Sequence, residues 1–142
     1  MKTARRQARE AALQALYAWQ LSGGDPLEQM QDLEGRERAD LAFTEALLRG
    51  VHGRAGELEA LITPHLDRPF GRLSPVERAI LYIGSFELAA NRDTPFKVVL
   101  NEAIELGKSF GGNEGYRFVN GVLEKIAAAL RPEEVARARK IA

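Results

Sequence analysis

Apolar residues recur every three or four positions from the beginning of the chain: Ala8, Ala12, Leu16 and Trp19, flanked by Leu13 and Ala15. That spacing is one face of an α-helix and predicts a first helix over Thr3 to Leu21. The pattern stops at Ser22-Gly23-Gly24-Asp25-Pro26. Glycine there allows positive φ and proline cannot continue the hydrogen-bond ladder, so a loop is expected. Leu41, Phe43, Leu47, Leu48 and Val51 predict a second helix from about Arg36 to Gly53. Leu58, Leu61, Ile62 and Leu66 predict a third, kinked or ended by Pro64.

The clearest helix start is Ser74-Pro75-Val76-Glu77. It has an N-cap hydroxyl, a proline at the first helical position and a Glu three residues after the cap, which together form a capping box. Its stripe of Val76, Ala79, Ile80, Ile83, Phe86 and Leu88 runs to Ala90. Asn91-Arg92-Asp93-Thr94-Pro95 ends it, and Thr94-Pro95 repeats the cap-then-proline arrangement for a helix carrying Val98, Val99, Ala103, Ile104 and Leu106 up to Phe110. Gly111-Gly112-Asn113 breaks that helix, another runs from about Gly115 to Leu130, and Pro132 opens a short last one. Arg137, Arg139 and Lys140 suit the C-terminal dipole of this last helix. No segment alternates with period two, so the fold class is all-α with about seven helices. Asp67 to Leu73, with Pro69 and Gly71, reads as the joint between two packed helical sub-bundles, about 1–66 and about 74–142, sharing one core in a single domain over 1–142.

Composition adds exclusions. The length of 142 residues suits one domain, and 45% hydrophobic with 28% charged residues is a globular balance. With no cysteine, disulfides, thiolate metal sites and Cys nucleophiles are ruled out. The apolar residues behind the basic N-terminus are broken by Gln14 and Gln20, so no secretory signal is expected. No run approaches the ~18 apolar residues of a membrane span. The expected location is the cytoplasm, with no membrane partner. The formal net charge is zero but unevenly spread: Met1 to Glu10 holds four basic residues against one acid, and Asp25 to Asp40 six acids against Arg36 and Arg38. Such segregation suits phosphate binding on one face, and equally a solvated helix surface.

Catalytic chemistry finds little support. His52 and His65 are thirteen residues apart and lack a metal-ligand spacing, so no metal is expected. Glu102 and Glu105 read as solvated charges near a helix start rather than an acid/base pair. Gly111, Gly112 and Gly115 are followed by no Gly-Lys-Ser/Thr and preceded by no strand, which leaves a loop rather than a phosphate cradle. No cofactor is implied and no enzyme is expected. Two segments call for more than a structural reading. Lys2, Arg5, Arg6 and Arg9 form a basic arm in which Arg5 and Arg9, one turn apart, can reach successive phosphates. In Tyr116-Arg117-Phe118-Val119-Asn120-Gly121-Val122-Leu123, Gly121 costs about 1 kcal/mol relative to Ala inside a helix. Either a neighbouring helix packs closely over Gly121, or Phe118 and Asn120 stand beside open backbone where a base approaches. Single-stranded RNA recognition needs cations for phosphates and an aromatic face for a base, and the two segments together supply both.

Five blocks carry a family resemblance, in order and at family spacing. They are Arg5-Arg6-Gln7-Ala8-Arg9-Glu10, Leu13-Gln14-Ala15-Leu16-Tyr17, Val76-Glu77-Arg78-Ala79-Ile80-Leu81, Asn101-Glu102-Ala103-Ile104-Glu105-Leu106 and Phe118-Val119-Asn120-Gly121-Val122-Leu123. The chain resembles the NusB family of bacterial transcription antitermination factors, the likeness weakening between about Gly23 and Asp67 and after Arg131. The resemblance implies an all-helical fold and binding of boxA, a short single-stranded RNA element of ribosomal RNA operon leaders, together with NusE, a small-subunit ribosomal protein. It also implies assembly with other Nus factors and RNA polymerase. Carried over by motif, Arg5, Arg6 and Arg9, with Lys2, contact RNA phosphates. Glu114, Tyr116, Phe118, Asn120 and Gly121 form the RNA surface, and Glu77 both caps its helix and faces NusE. Tyr82 and Phe86 depart from the basic residue and tyrosine of many relatives, and Gly112 to Gly115 is an individual loop sequence. The same fold precedes some ribosomal RNA cytosine methyltransferases, but this chain has no room for their cofactor-binding domain. A different reading is a helical protein-binding scaffold whose arm only solubilises the N-terminus. Whether the free chain forms a homodimer is left open by the sequence.

Overall fold

The first helix starts where a hydroxyl can replace a missing carbonyl: Thr3 Oγ1 accepts from the Arg6 N–H at 3.0 Å. In the computed structural model, which describes residues 2–33, 35–111 and 115–141 (backbone alone at 36 and 141), α1 spans Ala4–Ser22. It ends at Gly23, whose φ of 76° lets its N–H turn back to the Trp19 carbonyl at 2.8 Å. Eight α-helices and no strand occur among the described residues. They are α1, α2 (Pro26–Gln31), α3 (Leu41–Gly53), α4 (Ala55–Ile62), α5 (Pro75–Ala90), α6 (Phe96–Phe110), α7 (Gly115–Leu130) and α8 (Pro132–Ile141).

The extra helix is α2. It begins inside the expected loop because Asp25 Oδ1 accepts from the Leu27 N–H at 2.9 Å and Pro26 takes the first helical position. Its six residues bury Pro26 and Met30, too short a run for periodicity to reveal. The second expected helix also starts later than Arg36, which opens only a 3₁₀ turn, Arg36–Arg38. The true cap of α3 is Asp40, whose Oδ1 accepts from the Phe43 N–H at 3.0 Å while its own N–H donates to the Ala4 carbonyl at 3.1 Å. Pro64 does end the third expected helix, and Thr63–His65 closes α4 as a 3₁₀ turn.

Helix α5 carries the capping box read from the sequence: the Glu77 N–H donates to Ser74 Oγ at 3.1 Å and the Ser74 N–H to Glu77 Oε1 at 3.0 Å. From Ala79 to Leu88 it is buried on every side, as expected of a helix enclosed by α1, α3 and α4 from one half and α6 and α7 from the other. Close approach requires glycine at two crossings. A Cβ on Gly84 would lie 2.8 Å from a Leu123 methyl, and one on Gly50 would overlap the Phe86 ring.

The α5–α6 connection corrects a local reading. Pro95, not Thr94, occupies the N-cap position of α6, and no cap residue of its own bonds the first turn. The free Phe96 N–H donates instead to Glu134 Oε2 of α8 at 2.8 Å. Burial acts to raise the Glu134 carboxyl, but the Phe96 N–H and Arg131 outweigh it and hold the group below its ordinary range. Arg131, 3% exposed, fills the rest of the junction. Its guanidinium donates to the carbonyls of Glu87 (3.0 Å), Leu88 (3.0 Å), Asn91 (3.0 Å) and Thr94 (2.6 Å), and to Glu134 Oε1 at 3.2 Å. These carbonyls include the orphan acceptors that any helix end leaves. Arg131→Ala strands the Leu88 and Thr94 carbonyls, while those of Glu87 and Asn91 keep the backbone N–H groups of Asn91 and Thr94, and it is expected to lower the unfolding free energy by about 3 kcal/mol. Arg131→Lys should restore little, because an ammonium cannot span the same acceptors. Urea denaturation checks both.

Candidate nucleic-acid interface

A helix turns about 100° per residue, so Arg5, Arg6 and Arg9 leave α1 in different directions and meet different walls. Arg9 turns inward and is 4% exposed. It donates from Nε and Nη2 to the two carboxylate oxygens of Glu87 at 2.9 and 2.8 Å, and from Nη1 to Glu102 Oε1 at 3.5 Å. Burial alone would lower its pKa, but the bonds and charge of Glu87, with the charge of Glu102, hold it above the ordinary value. This corrects the expectation of a phosphate contact at Arg9: the guanidinium is enclosed, each of its three nitrogens bonds a carboxylate of the same chain, and it anchors the arm instead.

Arg6 is half-buried and makes a two-pronged pair with Glu102, Nε to Oε1 at 3.2 Å and Nη2 to Oε2 at 2.7 Å. Bonding to Glu102, then its charge, raises the Arg6 pKa. Glu102 is therefore not the solvated charge the sequence suggested; it is 8% exposed and holds two arginines. Arg5 remains outside, its side chain 57% exposed, 3.9 Å from Asp40 and with its guanidinium 4.3 Å from the centre of the Phe43 ring. Lys2, also exposed, pairs with Glu10 at 2.8 Å.

The second segment forms the first turns of α7. Tyr116 presses onto α6 at Gly107, where a Cβ would come within 2.5 Å of the Tyr116 Cβ. Lys108 Nζ and Arg117 Cζ stand 5.6 and 5.8 Å from the centre of the Tyr116 ring. Phe118 is half-buried, one side on the core and its ring capped by the Arg68 guanidinium at 4.8 Å. Asn120 donates to Glu124 Oε1 at 3.2 Å. Among the described residues nothing lies within 4 Å of where a Cβ on Gly121 would stand, so close packing by them is not what keeps that glycine. Glu114 lies outside the described residues. Glu77 reaches the same place, its Oε2 3.9 Å from a Cβ built on Gly115.

Helix α6 joins the two segments. Lys2, Arg6, Glu102, Glu105 and Ser109 line one narrow cleft, and from Glu102 to Lys108 the axis advances roughly 9 Å. Lys2 and Arg6 of the basic arm and the aromatic turn of α7 thus lie along one helix. Sequence reading missed three exposed cations beside the rings, Arg68, Lys108 and Arg117. Arg117 sits within the quoted motif, Lys108 follows from helical phase, and Arg68 gave no signal because the linker's course decides where it lands. Among the described residues no group of His, Cys, Asp or Glu is placed to hold a metal ion, and no helix is long and apolar enough to cross a membrane. His52 meets the edge of Trp19 at 5.6 Å.

Residues 6–128 match the model of the NusB family. The chain is 50% identical over 142 residues to the transcription antitermination protein NusB of Dechloromonas aromatica, covering 98% of this chain and 86% of that one. It is 52% identical over 136 residues to the protein of that name from Burkholderia vietnamiensis, covering 94% of each. Among solved structures, T. maritima NusB superposes with a TM-score of 0.83 at 31% identity, over 96% of this chain and 99% of that one. A structure of the antitermination factors NusB and NusE in complex with double-stranded RNA superposes with a TM-score of 0.78 at 27% identity, over 91% and 99%.

The inward turn of Arg9 has a measurable consequence. Arg9→Ala leaves the Glu87 carboxylate buried without its partner and is expected to cost about 3–5 kcal/mol in urea unfolding. The pair Arg9→Met with Glu87→Met, which removes both charges, should recover most of that loss. A single-variant cost below about 1 kcal/mol would mark the pair as solvent-screened.

Proposed function

Since the chain belongs to the NusB family, we propose that it is a transcription antitermination factor that binds RNA together with NusE and brings both to RNA polymerase with other Nus factors. The observation that carries this reading is the likeness, over nearly the whole chain, to antitermination proteins that include one solved with NusE and RNA. The geometry supports it: Lys2 and Arg6 of the basic arm and an aromatic, cation-flanked turn lie along α6, an arrangement suited to phosphates at one end and bases at the other. Lys2, Arg5 and Arg6 act as the phosphate contacts. Tyr116, Phe118, Asn120 and the open backbone at Gly121, with Glu114 before them, act as the base surface, and Arg68, Lys108 and Arg117 add charge to it. Glu77, at the edge of this surface, meets NusE, so that the two partners bind side by side. No covalent step is needed, and the protein works in the cytoplasm as an adaptor rather than an enzyme, needing no metal or cofactor.

The RNA is a boxA-like single strand. The solved relative holds double-stranded RNA, but the Arg68 guanidinium over the Phe118 ring offers a plane on which an unpaired base stacks. One observation favours the different reading of a protein-binding scaffold: Arg9 and Arg6 are already engaged with carboxylates of the same chain. Binding of a boxA-like single strand and of the corresponding duplex, with and without NusE across a salt series, separates the readings. NusE should strengthen binding of the single strand, and the Arg5→Ala, Arg6→Ala variant should weaken it about tenfold. Loss of two phosphate contacts should also make the log–log salt slope shallower by roughly 1.4. Equal binding of the duplex would overturn the strand assignment. Unchanged binding by the variant would remove the arm from the RNA contacts and put the scaffold reading ahead.

A further inference from the structure

Arg5 does not point toward α6 and the α7 turn, where the rest of the proposed RNA surface lies. It stands on the opposite flank of α1, in a cleft of about 250 Å³ closed by Phe43 of α3 and by the α5–α6 loop, Asn91, Arg92, Asp93 and Thr94. We propose that this cleft is a separate nucleotide site, taking one base and its phosphate from the same RNA strand after it has passed the arm. The inference rests on the RNA-binding reading above and extends it to a loop that none of the family blocks includes.

Four features make the cleft suited to a base. First, its volume is below the roughly 300–1,000 Å³ of sites that enclose drug-sized ligands, so it fits a single base rather than a longer segment. Second, the Phe43 ring is 7% exposed and carries guanidinium groups, Arg5 at 4.3 Å and Arg9 at 5.0 Å. The ring itself is not available to a base; it serves as the bed on which the planar Arg5 group lies. A guanidinium seated on a ring keeps its outer face for a further stacking partner, and unpaired bases stack on such planes. Third, the facing wall is rigid although it is a loop. The carbonyls of Asn91 and Thr94 are both held from inside by the buried Arg131, and Thr94 donates its N–H to the Asn91 carbonyl at 3.0 Å. A site whose wall is already fixed loses little entropy on binding.

Fourth, the polar groups divide between phosphate and base. Arg92 is exposed and among the described residues bonds the Leu130 carbonyl through Nη1 at 3.4 Å, one contact for a group with five donors, so it can take a phosphate oxygen. Asp93 would repel that phosphate but accepts well from an exocyclic amino group, and the Asn91 amide both donates and accepts. The cleft therefore discriminates: a base with an exocyclic amino group is favoured over uracil.

The test uses the full chain with NusE and the boxA-like RNA of the previous experiment, lengthened by about four nucleotides at one end or the other, of cytosine, adenine or uracil. The variant is Asn91→Ala with Arg92→Ala, whose melting temperature is checked against the parent. One stacked and hydrogen-bonded base should tighten binding about tenfold. Lengthening at one end with cytosine or adenine should give that gain in the parent, uracil less, and the variant should lose it while binding the unlengthened RNA as the parent does. A 2-aminopurine placed in the extension should be quenched by the parent and not by the variant. If lengthening gives no gain, or the same gain in the variant, the cleft is not a nucleotide site although RNA binding stands. If the parent binds neither RNA, the RNA reading fails and the site with it.

Discussion

A buried guanidinium must be paired, and α1 brings one into the middle of the fold. An unpaired Arg9 would carry a desolvation penalty of several kcal/mol. The acceptors that relieve it, Glu87 on α5 and Glu102 on α6, fix how the first helix stands against two that follow it by more than fifty residues. That registry also decides the direction of the neighbouring side chains. With Arg9 anchored, the helical phase sends Arg6 to the two oxygens of Glu102 and Arg5 to the Phe43 ring. The basic arm is thus a fan of groups set at fixed angles by the one that points inward.

Glu87 ties this network to a second one. Its carboxylate holds Arg9, and its backbone carbonyl accepts from Arg131 at 3.0 Å. Two buried arginines, from opposite ends of the chain, therefore meet in the last turns of α5. Arg131 closes that end of the helix, and its neighbour Glu134 supplies the cap that Pro95 cannot give α6. Helix ends that are ordinarily closed by local residues are closed here by α8 and the turn before it. The α5–α6 loop is held as firmly as an element of regular structure.

The parts of this arrangement that depend on neighbours in sequence could be read from the sequence. The capping box at Ser74 and Glu77 and the extent of α7 are local matters of propensity and period. Thr94 misled because a cap-and-proline pair is a good local signal, and only the presence of Glu134 explains why α6 starts without it. For Arg9 the spacing did hold information: Arg9, Ala12, Leu13 and Leu16 share one apolar stripe, at the spacing that put Ala8 and Ala12 in the core. A reading that groups cations by their distance from one another discards that phase. The partners of Arg9 lie 78 and 93 residues away and have no local signature. Nothing in the sequence could say that Glu102 was theirs and that Glu105, one turn on, was not.

The zero net charge of the chain is mirrored on the candidate interface. Of the cations on the candidate interface, Lys2 is matched by Glu10, Arg5 by Asp40, Arg6 by Glu102 and Arg68 by Asp67. A phosphate arriving at any of these exchanges one ion pair for another, and the gain is the difference between the two. For the exposed pairs, worth at most about 1 kcal/mol each, the exchange is easy. At Arg6, half-buried on a nearly enclosed carboxylate, it is harder. A surface built this way holds RNA less tightly than its number of cations implies and discriminates poorly against other polyanions by charge alone. Tight and selective binding then has to come from rings, base edges and a second partner whose own contacts raise the effective concentration of the RNA. An adaptor that must act only when both partners are present is served by weak pairwise binding, and the internal carboxylates keep it weak.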